Sequence, residues 1–220
     1  MTAVLVARGL YRFFHSGDEE TAALKGVDLT LAAGEFVALM GPSGSGKSTL
    51  LACLAGLDDP DGGTVELNGE RLSRRPESQR ARLRARFLGM LMQSGNLLEH
   101  LSVEGNMALQ RSLAKSNSAE HPAALLERLG LSHRRASLPS QLSGGEAARA
   151  GLAVAMSAEP ALLICDEPTA EVDAETESDI IRLLHEESRR GAAVLVATHS
   201  EVLARASSSI VRLDDGRVVK

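Results

Sequence analysis

Three short runs of consecutive apolar residues give the clearest signal of the fold. They are Phe36–Met40, Ala161–Cys165 and Ala192–Val196. Strands buried on both faces of a parallel sheet carry such runs, whereas strands with one wet face alternate apolar and polar positions. The pattern therefore predicts a parallel central sheet that contains these three strands.

Other segments add strands near the N-terminus and helices in the middle of the chain. The predicted strands are Val4–Phe14, Leu24–Leu31, Thr64–Leu67 and Leu88–Met92, and the predicted helices are Ser102–Leu113, Pro122–Leu129, Gly145–Met156 and Glu175–Arg190. This order predicts an α/β fold with a mainly parallel central sheet, an N-terminal antiparallel β subdomain and an inserted helical lobe. We expect one domain over 1–220, with a core of 1–92 and 158–220 and a lobe of 93–157.

Composition narrows the partners of the chain. Its 220 residues carry a net charge of −5 and only 2% aromatic residues. An acidic chain with few aromatic rings is a poor candidate for general nucleic-acid binding, so no nucleic-acid partner is expected. Seven arginines between residues 71 and 86 suggest phosphate or RNA binding, but a solvated helix face is the simpler interpretation.

Cysteine use and hydropathy indicate a cytoplasmic protein. Cys53 and Cys165 lie in apolar runs, which favours buried thiols over a disulfide or a metal site. No apolar run approaches the length of a membrane span, and the first apolar stretch is too short for a signal peptide. We expect any membrane role to act through a partner.

A glycine-rich octapeptide after the first apolar run carries the strongest chemical signal. It fits the P-loop pattern, in which backbone N–H groups and a helix N-terminus hold phosphates. Lys47 then reaches the β- and γ-phosphates, and Ser48 offers its hydroxyl to Mg²⁺. The alternative is a Gly/Ser turn that happens to carry a lysine. The predicted phosphate-binding residues are Gly41, Pro42, Ser43, Gly44, Ser45, Gly46, Lys47, Ser48 and Thr49.

Two carboxylates follow the second apolar run. Asp166 suits Mg²⁺, directly or through water, and Glu167 suits a general base that polarises water for attack on the γ-phosphate. Acidic residues also commonly just end strands. In a chain with a P-loop we favour the catalytic interpretation.

A further group of polar residues completes the candidate site. Ser143, Gly144 and Gly145 start a helix, so they form a second anion-binding terminus or a plain helix cap. Gln93 follows a strand and is a candidate ligand for Mg²⁺. His199 follows the last long apolar run and is a candidate for a γ-phosphate contact. Alone, each of these two is a weak signal, because an isolated His or Gln is usually just a polar residue at a strand end.

Taken together, these motifs resemble the ATP-binding-cassette (ABC) ATPases over essentially the whole chain. The motifs that carry the resemblance are Gly41–Ser48, Gln93, Leu142–Glu146, Asp166-Glu167, Asp173 and His199, in that order. Finer features resemble the subfamily of macrolide export, lipoprotein release and cell-division complexes. These features are Gly17-Asp18-Glu19, Leu24-Lys25-Gly26, Gly56-Leu57-Asp58, Leu97-Leu98 and Asn106.

The resemblance implies a head-to-tail homodimer that sandwiches two ATP molecules with Mg²⁺. Each site would combine Lys47 of one copy with Ser143, Gly144, Gly145 and Glu146 of the other. The resemblance also implies an aromatic residue on the adenine, for which Phe14 matches best and Phe13 and Tyr11 are the alternatives. A separate membrane permease, moved by dimer closure, would hold the chain at the inner face of the cell membrane.

Departures from the family pattern concern hydrolysis more than binding. Ala147, Ala148 and Val154 replace family residues in the helix after Gly145, and Ser200 stands where an aspartate is usual. Glu171 adds a negative charge near the expected dimer seam, so we expect slow turnover by the isolated chain.

The rival function is a non-transport regulatory clamp that signals through a membrane partner. A DNA-repair or translation ATPase is disfavoured, because the chain has no coiled-coil insertion and no second cassette.

Overall fold

Two β-sheets and seven α-helices make up the described part of the chain. A computed structural model describes residues 2–16, 19–93, 96–116, 120–170 and 172–219. The strands are β1 Ala3–Ser16, β2 Glu19–Ala32, β3 Phe36–Met40, β4 Gly62–Leu67, β5 Glu70–Arg71, β6 Leu88–Leu91, β7 Leu162–Asp166, β8 Ala193–Ala197, β9 Ser209–Asp214 and β10 Arg217–Val219. The helices are α1 Lys47–Leu54, α2 Glu77–Phe87, α3 Val103–Ala114, α4 Pro122–Arg128, α5 Gly144–Met156, α6 Ala174–Arg189 and α7 Glu201–Ala206, with 3₁₀ turns at Ser132–Arg134 and Pro139–Gln141.

The central sheet has the strand order β10-β9-β3-β8-β7-β6, and all its pairings are parallel except that of β9 with β10. Its middle strands are buried on both faces, as their apolar runs predict. In β7, Leu162 and Ile164 point to one hydrophobic cluster while Leu163 and Cys165 point to the other. The carboxyl ends of β3, β7 and β8 meet at one edge, where a parallel sheet places its ligand site.

The second sheet is antiparallel, in the order β2-β1-β4-β5. The β1–β2 hairpin is longer than predicted, with Phe14 opposite Thr21 near its tip. It lies against the glycine-rich loop, because a Cβ on Gly46 would come within 2.5 Å of the Ala23 carbonyl oxygen. The antiparallel subdomain thus forms one wall beside the predicted phosphate site.

The helical segment shares its core with the far face of the central sheet. Val103, Met107 and Leu125 belong to the same cluster as Phe36 and Val194. Among the described residues this leaves no separate apolar core for the lobe, and the division of the chain at residues 93 and 157 stays a prediction.

The basic run does not form one helix. Residues 71–76 contain the end of β5 and a turn, and α2 begins at Glu77 after Pro76. Leu72 is fully buried, which a solvated helix face does not explain. The helical interpretation is therefore wrong before Glu77.

Both cysteines are free and buried, as predicted. Burial raises the pKa of the Cys53 thiol to about 12 and that of the Cys165 thiol further, so neither forms a thiolate at neutral pH. In the described ranges, no helix has both the length and the apolar character needed to cross a bilayer.

Candidate functional site

The loop from Gly41 to Gly46 joins β3 to α1 and depends on glycine at both ends. A Cβ on Gly41 would lie 2.1 Å from the Leu213 carbonyl oxygen, and Gly46 has φ +103°, a conformation that favours glycine. Gly46 is also the N-cap of α1 and offers no side chain to the first-turn amides. These N–H groups are therefore available to an anion, as the P-loop prediction requires.

Lys47 is the buried cation of this loop. Its Nζ donates to the carbonyl oxygens of Gly41 (2.8 Å) and Pro42 (3.1 Å) and lies 3.3 Å from His199 Nε2. Lysine can only donate, so His199 must present Nε2 as the acceptor in this contact. The structure brings Lys47 and His199 together although they are 152 positions apart in the sequence.

Ser48 and Asp166 form the second pair. Ser48 Oγ donates to Asp166 Oδ2 at 3.1 Å, and Asp166 is buried at the end of β7. A hydroxyl beside a carboxylate is an oxygen donor set suited to Mg²⁺. Within the described ranges no group of three or more His, Cys, Asp and Glu side chains could hold a metal ion. The pair therefore fits an ion that takes its remaining ligands from phosphate oxygens and water.

Glu167 lies between these pairs in an unusual conformation. Its φ is +50°, which is uncommon for a residue with a side chain, and its N–H donates to the Ala197 carbonyl. Its Oε2 accepts a hydrogen bond from the backbone N–H of His199 at 3.2 Å, while its Oε1 lies 3.5 Å from the ring nitrogen Nε2 of His199. That Oε1 atom is buried and accepts no hydrogen bond from the described residues. An unsatisfied buried carboxylate oxygen fits a site that receives a water molecule.

Ser143 starts α5 with a reciprocal cap. Ser143 Oγ accepts the Glu146 N–H (3.3 Å), and the Ser143 N–H donates to Glu146 Oε2 (2.8 Å). Arg134 Nε donates to the other Glu146 oxygen at 2.8 Å. The backbone N–H of Ser143, followed by Arg134, lowers the pKa of Glu146 to about 2. Among the described residues no hydrogen bond or ion pair joins Ser143–Glu146 to the loop that holds Lys47.

Gln93 is exposed and lines a cleft of about 370 Å³. Glu167 lies on another wall of this cleft, and Gly144 and Ala148 contribute the α5 side. In the described part of the chain, Gln93 has no hydrogen bond to Ser48 or Asp166. Its predicted role at Mg²⁺ therefore stays a prediction.

Phe14 is 45% exposed, and the Arg12 guanidinium lies 4.9 Å from its ring centroid on one face. Tyr11 stacks on Phe13 and its hydroxyl packs at Gly26. The choice among these aromatics as the adenine contact stays a prediction.

Glu171 lies outside the described residues, so its predicted effect on turnover has no structural account here.

Sequence patterns did not reveal two residues that the site uses. Arg134 holds Glu146 from twelve positions away, and no spacing rule points to that pair. Asn96 bonds the backbone of Met92 with both ends of its amide. In the sequence, a polar residue in the loop after a predicted strand is only a weak signal of a functional role. The hydrogen bonds of its side chain are what identify Asn96.

A family profile described as "ABC transporter" matches residues 24–170. This chain belongs to the ABC transporter family. It is 41% identical over 221 residues to the lipoprotein-releasing system ATP-binding protein LolD of Acinetobacter baylyi, covering 97% of this chain and 96% of that protein. It is 38% identical over 215 residues to the macrolide export ATP-binding/permease protein MacB of Bordetella avium, covering 96% of this chain and 33% of MacB.

Solved structures agree with this assignment. The dimeric MJ0796 cassette superposes with a TM-score of 0.91 at 29% identity, covering 98% of this chain and 97% of that one. A post-hydrolysis MJ0796 dimer bound to ADP and phosphate gives 0.90 at 30% identity and the same coverage. The chain is thus an ATP-binding cassette with the P-loop ATPase fold, as the motifs predicted, and it is an ATPase.

Proposed function

We propose that this chain is the ATP-hydrolysing subunit of a lipoprotein-release or export complex, and that it drives a separate membrane permease through dimer closure. The contacts that join His199 to both Lys47 and Glu167 support the chemistry most directly. The relatives named LolD are themselves ATP-binding proteins of nearly the same length as this chain. This similarity favours a permease on a different polypeptide. The permease would hold this chain at the cytoplasmic face of the membrane.

The proposed chemistry needs little movement of the chain's own groups. The α1 amides and Lys47 hold the β- and γ-phosphates, and in doing so Lys47 exchanges its carbonyl partners for phosphate oxygens. Glu167 Oε1 takes a proton from the attacking water as the bond between the γ-phosphorus and the ADP oxygen breaks. Once Lys47 has moved to the phosphates, His199 Nε2 no longer accepts from it and can carry the hydrogen that it donates to a γ-phosphate oxygen. Ser48 and Asp166 would hold Mg²⁺, which would supply positive charge to neutralise the transferred group.

The second half of each site would come from another copy of the chain. Ser143 and the Gly144 and Gly145 amides form an anion-binding terminus that has no polar contact with its own P-loop within the described residues. In a head-to-tail dimer, this terminus would meet the phosphates of the nucleotide held by the P-loop of the other copy. The dimeric MJ0796 cassette shows that a chain of this fold can pair.

Exposed leucines on the helical segment are the proposed permease contact. Leu98 is 54% exposed and Leu113 is 60% exposed, large values for apolar side chains. Leu98 belongs to the same segment as Gln93, so movement at the nucleotide can be passed to the partner. ATP turnover should rise when the chain is reconstituted in liposomes with its membrane subunit.

Leu98→Glu should abolish that stimulation and leave the basal rate unchanged. Val202→Glu is the matched control, because Val202 is 61% exposed and lies on α7, outside the segment that carries Leu98. Equal stimulation of the Leu98→Glu variant and the parent would contradict the proposed contact. No stimulation of the parent by any membrane subunit would instead favour the regulatory clamp.

A further inference from the structure

Asn96 makes a pair of hydrogen bonds with the backbone of Met92, the residue before Gln93. Its Oδ1 accepts the Met92 N–H at 2.6 Å, and its Nδ2 donates to the Met92 carbonyl at 2.6 Å. Only a side chain with both a donor and an acceptor can make this pair. Aspartate keeps the acceptor and loses the donor, and alanine loses both.

The pair fixes the end of an edge strand. β6 is the last strand of the central sheet, and its pairing with β7 ends at Leu91. Met92 follows, and among the described residues no strand pairing continues to its backbone. The two hydrogen bonds that Asn96 makes with Met92 take that place. Gln93 is the next residue along the chain.

α5 packs against the same junction. A Cβ on Gly151 would lie 3.2 Å from Asn96 Cβ and 2.6 Å from Leu91 Cδ1, so the helix backbone touches both residues. At Gly89 a Cβ would come within 2.2 Å of the Ala155 carbonyl oxygen. Close packing of this kind transmits displacement, because neither side can yield without a clash. Asn96 therefore lies between the helix that Ser143 starts and the strand end that carries Gln93.

We propose that Asn96 is a positioning residue that sets where Gln93 lies in the cleft opposite Glu167. It acts through Met92 and links the backbone of Gln93 to α5. This inference rests on the proposed ATPase function and on the Mg²⁺ role predicted for Gln93, which together require that Gln93 contributes to hydrolysis. Asn96 itself lines the cleft, yet both ends of its amide are engaged by Met92 and are not directed at a ligand.

A double-variant cycle tests the inference. Single-turnover hydrolysis of Mg–ATP would be measured for the full chain, for Asn96→Ala, for Gln93→Ala and for the double variant. Asn96→Ala should slow the hydrolytic step about five- to tenfold, the effect of losing one or two hydrogen bonds that hold a residue in place. The ATP concentration for half-saturation should stay within about twofold of the parent, because the P-loop is untouched. In the Gln93→Ala background the same change should have no further effect.

Asn106→Ala is the matched control. Asn106 also bonds both backbone groups of one residue, Leu98, and is buried, but it does not adjoin Gln93. The Asn106→Ala change should lower the midpoint of unfolding. It should change the rate of hydrolysis by the same factor with Gln93 intact and in the Gln93→Ala background. Amide exchange at Met92 should speed up in Asn96→Ala and not in Asn106→Ala.

The outcomes separate the inference from the proposed function. An equal rate loss from Asn96→Ala with and without Gln93 would overturn the positioning role, and so would an unchanged rate in Asn96→Ala. Parental turnover in Gln93→Ala would show that Gln93 does not contribute to hydrolysis, which overturns the positioning role and leaves the proposed ATPase function standing. A rate loss confined to the background with Gln93 intact would support both.

Discussion

The helices α1 and α5 both start at a candidate phosphate site, but their first turns are prepared differently. α1 begins after Gly46, which puts no side chain on the amides, and Lys47 lies beside them. α5 begins after Ser143, whose hydroxyl, N–H and partner Glu146 are already engaged, with Arg134 as a third member. The first terminus is open to a triphosphate. The second has its Ser143 groups engaged, so among the described residues the Gly144 and Gly145 amides are the donors left for a nucleotide held by another copy.

The two termini also differ in what surrounds them. Around α1, the chain itself brings together Asp166, Glu167 and His199 from the ends of β7 and β8. Around α5, the described residues provide a cleft and no catalytic carboxylate other than Glu167 on the cleft's far wall. If the account is right, changes on the α1 side should abolish binding or chemistry within one chain, and changes on the α5 side should act between chains.

The largest expected effect is at Glu167. Glu167→Gln should keep ATP affinity and lower turnover by about 10²–10⁴-fold, because the amide cannot take a proton from water. The variant should accumulate as an ATP-dependent dimer in size-exclusion chromatography with light scattering, whereas the parent should return to monomer as ATP is consumed. Hydrolysis at the parental rate would remove Glu167 from the base role.

Lys47→Ala should weaken ATP binding by about 10–100-fold, the loss expected when charge-assisted hydrogen bonds to phosphate are removed. Calorimetry on the parent and the variant measures this directly. Lys25→Ala is the matched control, because Lys25 pairs with Asp215 at the surface and not with the P-loop. Equal affinity in Lys47→Ala and the parent would show that the lysine does not hold phosphate.

Around α1, the strands and the glycine-rich loop could be predicted almost completely from the sequence. Around α5, the side-chain contacts could not. Runs such as Ala192–Val196 carry their fold information locally, because burial on both faces leaves no room for polar residues. The P-loop is likewise defined by neighbours in sequence. The Arg134–Glu146 pair and the Asn96–Met92 pair depend on how α5 packs against β6, which no local pattern records. The predicted extent of α2 was wrong for two reasons: it ignored Pro76, which is a local signal for a helix start, and the burial of Leu72, which no local pattern records.

Phe14→Ala should weaken ATP and GTP alike, by about 1–3 kcal/mol if its ring stacks on the base. Stacking depends on the flat face of the base and not on its hydrogen-bonding edge. Tyr11→Ala is the comparison, since Tyr11 has similar exposure at 43%. A loss of affinity in Tyr11→Ala with none in Phe14→Ala would move the adenine contact to Tyr11.

The smallest expected effect concerns the pH dependence of stability at the α5 cap. The folded-state pKa of Glu146 is about 2, below its ordinary value of 4.5. Its ionised carboxylate therefore stabilises the fold fully above about pH 4.5, and this contribution falls as pH drops from 4.5 towards 2. Glu146→Gln should lose part of this pH dependence. Urea unfolding at pH 6 and pH 3.5 would compare the two proteins, and an identical change with pH in both would contradict the assignment.

Mixing two inactive variants tests most directly whether each site is shared between chains. Lys47→Ala disables the P-loop side, and Gly144→Asp places a negative charge at the start of α5, where the partner's phosphate is expected. In a head-to-tail heterodimer of the two, one site has both defects and the other has neither. Random mixing should therefore restore roughly a quarter of parental turnover, from one intact site in half of the dimers. If α5 served its own P-loop, every site in the mixture would carry a defect, and turnover no higher than that of the separate variants would contradict the account.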